Sequence, residues 1–170
     1  MTIEKATCAD LDCLERLYEE LNDYLAAHVN YPGWQKGWYP VRWCAEEGIA
    51  ENALYVARLD GRIAGTMILN QKRDPAYGQV TWAVAPPVLV VHTLAVHPDF
   101  LGQGIGRTLM EFVIDCAKQQ GLPAIHLDTY EKNIPAQRLY ERLGFQFRGK
   151  VDLGFAELGR EWYDAYELVL

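Results

Sequence analysis

The sequence of 170 residues contains no serine and only four histidines. A Ser-His-Asp hydrolase is therefore excluded, because that chemistry needs a serine nucleophile. His28, His92, His97 and His126 fit neither the HExxH zinc pattern nor a CxxC pair followed by HxxxH. The phosphate loop of nucleoside triphosphatases, GxxxxGKS or GxxxxGKT, is also absent. Three common enzyme classes are thus excluded, and no metal site is expected.

Long apolar runs and paired cysteines are missing as well. Cys8, Cys13, Cys44 and Cys116 have no regular spacing, which is typical of reduced thiols in a cytosolic protein. No apolar run reaches the roughly 20 residues that a membrane helix needs, and the longest, residues 82–91, contains two prolines. The first residues lack the charged-then-apolar layout of a secretion signal. We therefore expect a cytoplasmic protein with no membrane partner.

The net charge of −7 argues against nucleic acid as a partner, because phosphate binding requires a basic surface. The acidic surface favours cationic small molecules, although solubility alone also explains it. Half of the residues are apolar, and the length suits one globular domain over residues 1–170.

Periodicity, caps and turn residues predict alternating strands and helices. Asp60-Gly61 between two strand-like runs predicts a type I′ hairpin. Helices are predicted from about residue 7 and over 41–52, 104–120 and 133–143, and strands over 2–5, 53–59, 62–70, 88–96, 124–129, 145–152 and 162–169.

The strongest functional signal is a glycine-rich junction that follows the predicted strand ending at Val96. Gly102, Gly104 and Gly106 let the backbone approach a ligand, and the first amides of the next helix carry the positive end of its dipole. Such an arrangement can bind a pyrophosphate, with Arg107 adding a charge-assisted contact. The dinucleotide pattern GxGxxG does not fit, since it needs a glycine at position 107. A tight strand-to-helix turn without a ligand is the alternative.

A second candidate lies on the predicted helix over residues 133–143. Asn133 and Tyr140 are seven residues apart and share a face, with the small Ala136 between them. An amide and a phenol beside an apolar stripe can hold an extended ligand. Alternatively, Asn133 is only a helix cap and Tyr140 only a core residue.

The two segments resemble the GCN5-related N-acetyltransferase (GNAT) family. Its second motif, N-x-x-A-x-x-L-Y-E-x-x-G-F, is matched in full by residues 133–145. Its first motif, Q/R-x-x-G-x-G/A, is matched at Gly104 and Gly106, but Leu101 stands at the Gln/Arg position. The resemblance is strongest over residues 88–149. It implies an α/β (α+β) fold with a mixed, mostly antiparallel central sheet of about six or seven strands, flanked by about four helices.

The resemblance also implies acetyl-coenzyme A as cofactor, a homodimer, which is common in such families, and a role for each matched residue. Tyr140 would protonate the departing thiolate, since a thiol leaves more easily when a hydroxyl donates to its sulfur. Leu101 removes one side-chain partner, which predicts weaker or rearranged contacts. The pantetheine arm would lie against Leu94, Ala95, Val96, Asn133 and Ala136, and the pyrophosphate against Gly102, Gln103, Gly104, Ile105, Gly106, Arg107 and Thr108.

An amine acceptor must lose a proton before it attacks, because an alkylamine is charged at neutral pH. His92 is the first candidate base, since strand alternation places it on the face of Leu94, and a structural histidine is the alternative. Asp128 and Glu131 are weaker candidates, and His126 is expected to be structural. Aromatic residues are expected to line the acceptor pocket, where their faces suit a cation, or else to form a lid or dimer surface: Tyr31, Trp34, Trp38, Tyr39 and Trp82.

Three functions remain open from the sequence. The first is transfer of acetyl from acetyl-coenzyme A to a primary amine of a small molecule, by direct attack in a ternary complex. The second is acetylation of a protein N-terminus or lysine. The third is an acyl-coenzyme A-binding module without turnover, against which Tyr140 argues, because a pure binder needs no thiol-protonating phenol.

Overall fold

A computed structural model describes all 170 residues, Met1–Leu170. Seven strands form one sheet in the order β1-β2-β3-β4-β5-β7-β6. The pairs β1–β2, β2–β3, β5–β7 and β6–β7 are antiparallel, and β4–β5 is parallel. The strands are β1 Thr2–Lys5, β2 Leu54–Leu59, β3 Arg62–Asn70, β4 Leu89–Val96, β5 Ala124–Tyr130, β6 Gln146–Val151 and β7 Tyr163–Val169. The helices are α1 Leu11–Ala27, α2 Arg42–Ala50, α3 Ile105–Gln119 and α4 Ile134–Arg142. The predicted fold class is confirmed.

The chain divides into two compact units. The first contains residues 1–30, 34–69 and 92–113, and the second contains residues 31–33, 70–91 and 114–170. Strand β4 and helix α3 each contribute residues to both units. The expectation of one domain over residues 1–170 stays a prediction.

The first unit is organised by the apolar stripe of α1. Residues spaced three or four apart along this helix are buried, as the helical period requires: Leu14, Leu17, Tyr18, Leu21 and Leu25. They pack in one cluster with Cys44 of α2 and with Leu54 and Val56 of β2. The side-chain amide of Asn22, also on this face, donates to the carbonyl of Tyr39 at 3.3 Å and so holds the end of the loop over residues 28–40.

The hairpin between β2 and β3 has the turn that its sequence predicts. Asp60 and Gly61 both have positive φ, +50° and +77°, as a type I′ connection requires. Its right-handed twist matches that of the flanking strands, so the two short residues set the register of the pair.

The second unit is centred on β7, which lies between β5 and β6. The fully buried carboxylate of Glu167 on β7 ties this unit together. It accepts hydrogen bonds from the Ala83 amide at 2.9 Å, the Val84 amide at 3.0 Å, His126 Nε2 at 2.9 Å and Arg148 Nε at 2.6 Å. The Glu167 carboxylate therefore holds residues 83–84, which precede β4, together with His126 of β5 and Arg148 of β6 in one hydrogen-bond network.

Two pKa shifts follow from the burial of this network. Burial lowers the pKa of His126 below its ordinary value of 6.5. Burial alone raises the pKa of Glu167, but the Ala83 amide, His126 and the Val84 amide bring it below its ordinary 4.5. Both groups therefore bind fewer protons in the folded than in the unfolded state, so acidification lowers stability, first through His126 and then through Glu167.

No helix of the structure is both long enough and apolar enough to cross a membrane.

Glu167→Gln is expected to lower the free energy of unfolding by about 3–5 kcal/mol, because it leaves the charge of Arg148 without its partner. Urea denaturation at pH 7.5 measures this change. The exposed Glu157→Gln is the control and should change stability by less than about 0.5 kcal/mol. The stability difference between Glu167→Gln and the parent should also narrow on acidification, since protonation removes the same charge. A loss for Glu167→Gln no larger than the control's would contradict the central role of this carboxylate.

Candidate functional site

Strand β4 leads through a 3-10 turn, Pro98–Phe100, and an exposed glycine loop directly into α3. Gly102 and Gly104 have φ values of +75° and +80°, a conformation that L side chains rarely adopt. A Cβ placed on either residue would meet no atom within 4 Å. The backbone turn therefore requires these glycines, and the space beside them is open.

The first turn of α3 presents unpaired donors. The amides of Ile105, Gly106 and Arg107 have no acceptor in the chain, and the Thr108 amide is the first to be bonded, to the Gly104 carbonyl at 3.0 Å. Three free N–H groups and the positive end of the helix dipole lie together beside an open loop, an arrangement that attracts an anion.

The side chains around this loop offer fewer free hydrogen-bond donors than the backbone amides do. Arg107 is 70% exposed, and its Nε pairs with Glu111 at 2.8 Å, a surface ion pair that a ligand can replace at little cost. Gln103 donates to the Asp99 carbonyl at 3.1 Å, and the Thr108 hydroxyl donates to the Gly104 carbonyl at 3.2 Å. Leu101 is exposed and has no polar group to offer. Anion binding at this loop therefore depends mainly on backbone amides.

His97 fixes the start of the loop, a role that the sequence did not reveal. Its Nδ1 accepts from the Asp99 amide at 3.1 Å, which leaves Nε2 to donate to Glu20 at 2.8 Å. Its own amide donates to the Ala64 carbonyl on β3 at 2.9 Å. The imidazole thus caps the 3-10 turn and ties it to α1. The only local signal is the proline at position 98, a residue that suits the first position of a helical turn.

Strand β4 is irregular at Thr93, which has a φ of +49°. A β-branched residue in this conformation is strained, and such strain is concentrated at functional sites. The alternation that predicted His92 on the face of Leu94 runs through this irregular residue, and that placement of His92 stays a prediction. His92, Thr93 and Leu94 are all half-buried, whereas Ala95 is buried. The catalytic role of His92 stays a prediction.

The aromatic residues expected at the acceptor pocket belong to both units, and two of those in the first unit are in contact. Trp34 and Tyr39 meet edge to face, with ring centroids 5.6 Å apart, and both pack on the core of the first unit. The Tyr39 hydroxyl is hydrogen-bonded to the Thr93 hydroxyl, which joins the loop to the strained residue of β4. Trp38 is 67% exposed, and Tyr31, counted with the second unit, is also exposed.

The second unit contains a buried group of ionisable side chains. The Tyr77 hydroxyl donates to Asp128 Oδ2 at 2.6 Å. Burial raises the pKa of Asp128 to about 6, and the Tyr77 hydrogen bond limits that rise. Burial, with the nearby charge of Asp128, raises the pKa of Tyr140 far above its ordinary value. At neutral pH the carboxyl group is therefore mostly charged and the phenol is protonated.

Tyr140 lies on α4 with its ring between Phe145 and Tyr166, each at a centroid distance of 5.9 Å. Its hydroxyl has no hydrogen-bond partner in the chain, so it is free to donate to a ligand. Asn133, on the other hand, does not cap the helix through its side chain. Its amide nitrogen donates to the Thr129 hydroxyl at 3.0 Å, and Ala136 is half-buried on the same helix.

The sequence gives no signal for Tyr77, because its partner Asp128 is 51 residues away in the chain and Tyr77 lies outside the predicted helices and strands. Trp82, expected at the acceptor pocket, stacks on His126 at 3.9 Å and packs against Tyr77 at 5.1 Å. The residues predicted for the site are thus found in both units: the glycine loop and β4 residues in the first, and the α4 residues in the second.

The chain is similar to known acetyltransferases in both sequence and fold. A family model described as the acetyltransferase (GNAT) family matches residues 14–145. In solved structures, a GNAT-family acetyltransferase from Streptococcus agalactiae has a TM-score of 0.83 at 24% identity, with 99% of this chain and 95% of that chain covered.

Two curated relatives have different named activities. Mycothiol acetyltransferase of Thermomonospora curvata is 34% identical over 101 residues, 59% of this chain and 30% of the relative. The ribosomal protein bS18-alanine N-acetyltransferase of Escherichia coli is 42% identical over 84 residues, 48% of this chain and 57% of the relative. The matched segments span from 30% to 50% of the first four curated relatives' own length.

Proposed function

The chain belongs to the acetyltransferase (GNAT) family, and on that premise we propose that it transfers an acetyl group from acetyl-coenzyme A to a primary amine. The observation that carries the proposal is the open glycine loop, where the amides of Ile105, Gly106 and Arg107 have no acceptor. These donors suit the diphosphate of coenzyme A; Ile105 and Gly106 fall in the first family motif, and Arg107 directly follows it.

The donor thioester is assigned to β4 and α4. Leu94, Ala95 and Val96 are proposed to lie along the pantetheine arm, with Asn133 and Ala136 as further contacts. Tyr140 is proposed to donate a proton to the departing thiolate. Its unpaired hydroxyl and raised pKa support that role, because the phenol stays protonated until negative charge develops on the sulfur.

Asp128 is proposed as the base that receives the amine proton, directly or through water. A pKa of about 6 makes it a stronger base than an ordinary aspartate while keeping it mostly deprotonated at neutral pH. The Tyr77 hydroxyl, 2.6 Å away, holds the carboxylate in place. This choice reverses the order of the sequence-based candidates, in which His92 came first.

The proposed acceptor is a small-molecule amine, and a protein N-terminus is the second candidate. The name of the mycothiol acetyltransferase indicates a small molecule, and the name of the ribosomal protein acetyltransferase indicates a polypeptide. The negative net charge supports a cationic amine in either case. Direct attack in a ternary complex is proposed, since both an acid and a base are available without a covalent enzyme intermediate.

Release of coenzyme A thiol from acetyl-coenzyme A tests the proposal, over a panel of small amines and of peptides with free N-termini. Tyr140→Phe is expected to lower kcat by about 10²- to 10⁴-fold, the usual contribution of a general acid, while the Kd of acetyl-coenzyme A changes less than about threefold. Tyr18→Phe removes another buried phenol without a partner, in the first unit, and should leave kcat unchanged. Tight acetyl-coenzyme A binding without thiol release for any acceptor would instead indicate a binding module.

The dependence of kcat/KM on pH tests the base. The carboxylate must be deprotonated, so kcat/KM is expected to fall as the pH drops through about 6. Tyr77→Phe removes a hydrogen bond that favours the charged form of Asp128, so the acidic limb should move to higher pH. Asp128→Asn should abolish that limb together with most of the activity. An acidic limb that stays in place in Tyr77→Phe, or moves only in His92→Ala, would rule out Asp128.

Gly104→Ala tests the glycine loop. Gly104 and Gly121 share a left-handed φ, +80° and +67°, and open space around the position of a Cβ. An alanine at either site should therefore cost about 1–2 kcal/mol of stability. Only Gly104→Ala should weaken coenzyme A binding, by about tenfold or more, because it displaces amides that bind the diphosphate. Equal calorimetric Kd values for the two variants would mean that the diphosphate binds elsewhere.

A further inference from the structure

Arg73, in the loop that follows β3, has an incompletely satisfied guanidinium. Its central carbon lies 5.7 Å from the ring centroid of Tyr77 and 5.4 Å from that of Trp82. The side chain is half-buried, and its Nε is buried without any hydrogen-bond partner. It forms no ion pair in the chain.

The other arginines of the chain show how unusual this is. Five of them pair with carboxylates: Arg42, Arg58, Arg62, Arg107 and Arg148. Only Arg73 has a buried guanidinium nitrogen with no partner. The Nε itself is closed off, but the two terminal nitrogens of Arg73 are not among the buried unpartnered atoms and make no hydrogen bond in the chain, so a ligand acceptor is expected at those nitrogens.

The guanidinium rests on a fixed aromatic platform formed by Tyr77 and Trp82. The Trp82 indole donates to the Tyr77 carbonyl at 2.8 Å, and its ring stacks on His126 at 3.9 Å. Tyr77 is 1% exposed, and its hydroxyl bonds to Asp128. The same platform therefore supports Arg73 and the carboxylate proposed as the base.

The carboxylates of this region already have partners. Asp128 accepts from Tyr77, and Glu167 accepts from His126 and Arg148. Asp74, next to Arg73 in the chain, accepts from the Ala76 amide at 2.8 Å. None of them pairs with Arg73, so its positive charge and its donors remain available to a ligand.

We propose that Arg73 binds a carboxylate of the acceptor, so that the acceptor is an amino acid or another compound that carries both an amine and a carboxylate. A guanidinium offers two parallel N–H groups that match the two oxygens of a carboxylate, and aromatic faces beneath it hold that fork in one orientation. This inference rests on the proposed function, and it names the class of acceptor.

Paired acceptors test it in the thiol-release assay. The panel contains L-amino acids and their primary amides, so that each pair shares a side chain and an amine and only the acid carries a carboxylate. Arg73→Gln is expected to raise KM for the amino acids about 10- to 100-fold, the loss of one charge-assisted contact, and to leave the amides unchanged. Arg73→Lys keeps the charge without the fork and should fall between Arg73→Gln and the parent. Arg16→Gln removes an exposed arginine of α1 that has no ion pair and serves as the matched control.

A binding experiment tests the role of Arg73 independently of the proposed acetyltransferase activity. The indole N–H resonance of Trp82, assigned with Trp82→Phe, is followed in three separate titrations. The first adds a pool of L-amino acids, the second a pool of their amides, and the third coenzyme A. A shift with the acids alone, lost in Arg73→Gln, supports the proposal even if no amine is acetylated. No shift with the acids, a shift with coenzyme A instead, or equal turnover of acids and amides by the parent overturns it.

Discussion

The left-handed turn at Gly102 and Gly104 is the constraint on which the proposed chemistry depends. This turn connects β4 to α3, and the first three amides of α3 have no hydrogen-bond acceptor in the protein. His97 secures the entrance to this turn through Glu20, Asp99 and Ala64, so the free donors are held by contacts on several elements. A positioned set of unsatisfied donors costs stability, and it is retained where a ligand supplies the missing acceptor.

In the second unit, burial raises the pKa of two groups, Asp128 and Tyr140, and the same shift suits them to different roles. It makes Asp128 a better proton acceptor and keeps Tyr140 a proton donor, because a site of low polarity disfavours charge on both. The Tyr77 hydroxyl then limits the effect on Asp128, so that the carboxylate is still charged at neutral pH. Glu167 shows the contrasting case: with four donors around it, a fully buried carboxylate stays charged and serves structure.

Much of this could be predicted from the sequence, because the signals were local. The period of α1, the Asp60-Gly61 turn and the second family motif each depend on residues within about a dozen positions of one another. The contacts that were missed join distant residues: Tyr77 with Asp128, and Tyr39 with Thr93. The strained φ of Thr93 had no signal at all, since threonine is a common strand residue.

Leu101 has a consequence for how an anion is held at the glycine loop. Where the family motif has Gln or Arg, the chain has an apolar side chain, and the nearby Arg107 is exposed to solvent. Hydrogen bonds from fixed amides act at contact distance, so salt screens them less than it screens the longer-range attraction of exposed cations. An anion held in this way keeps most of its affinity as ionic strength rises, so the loop is suited to work across a wide range of salt concentrations.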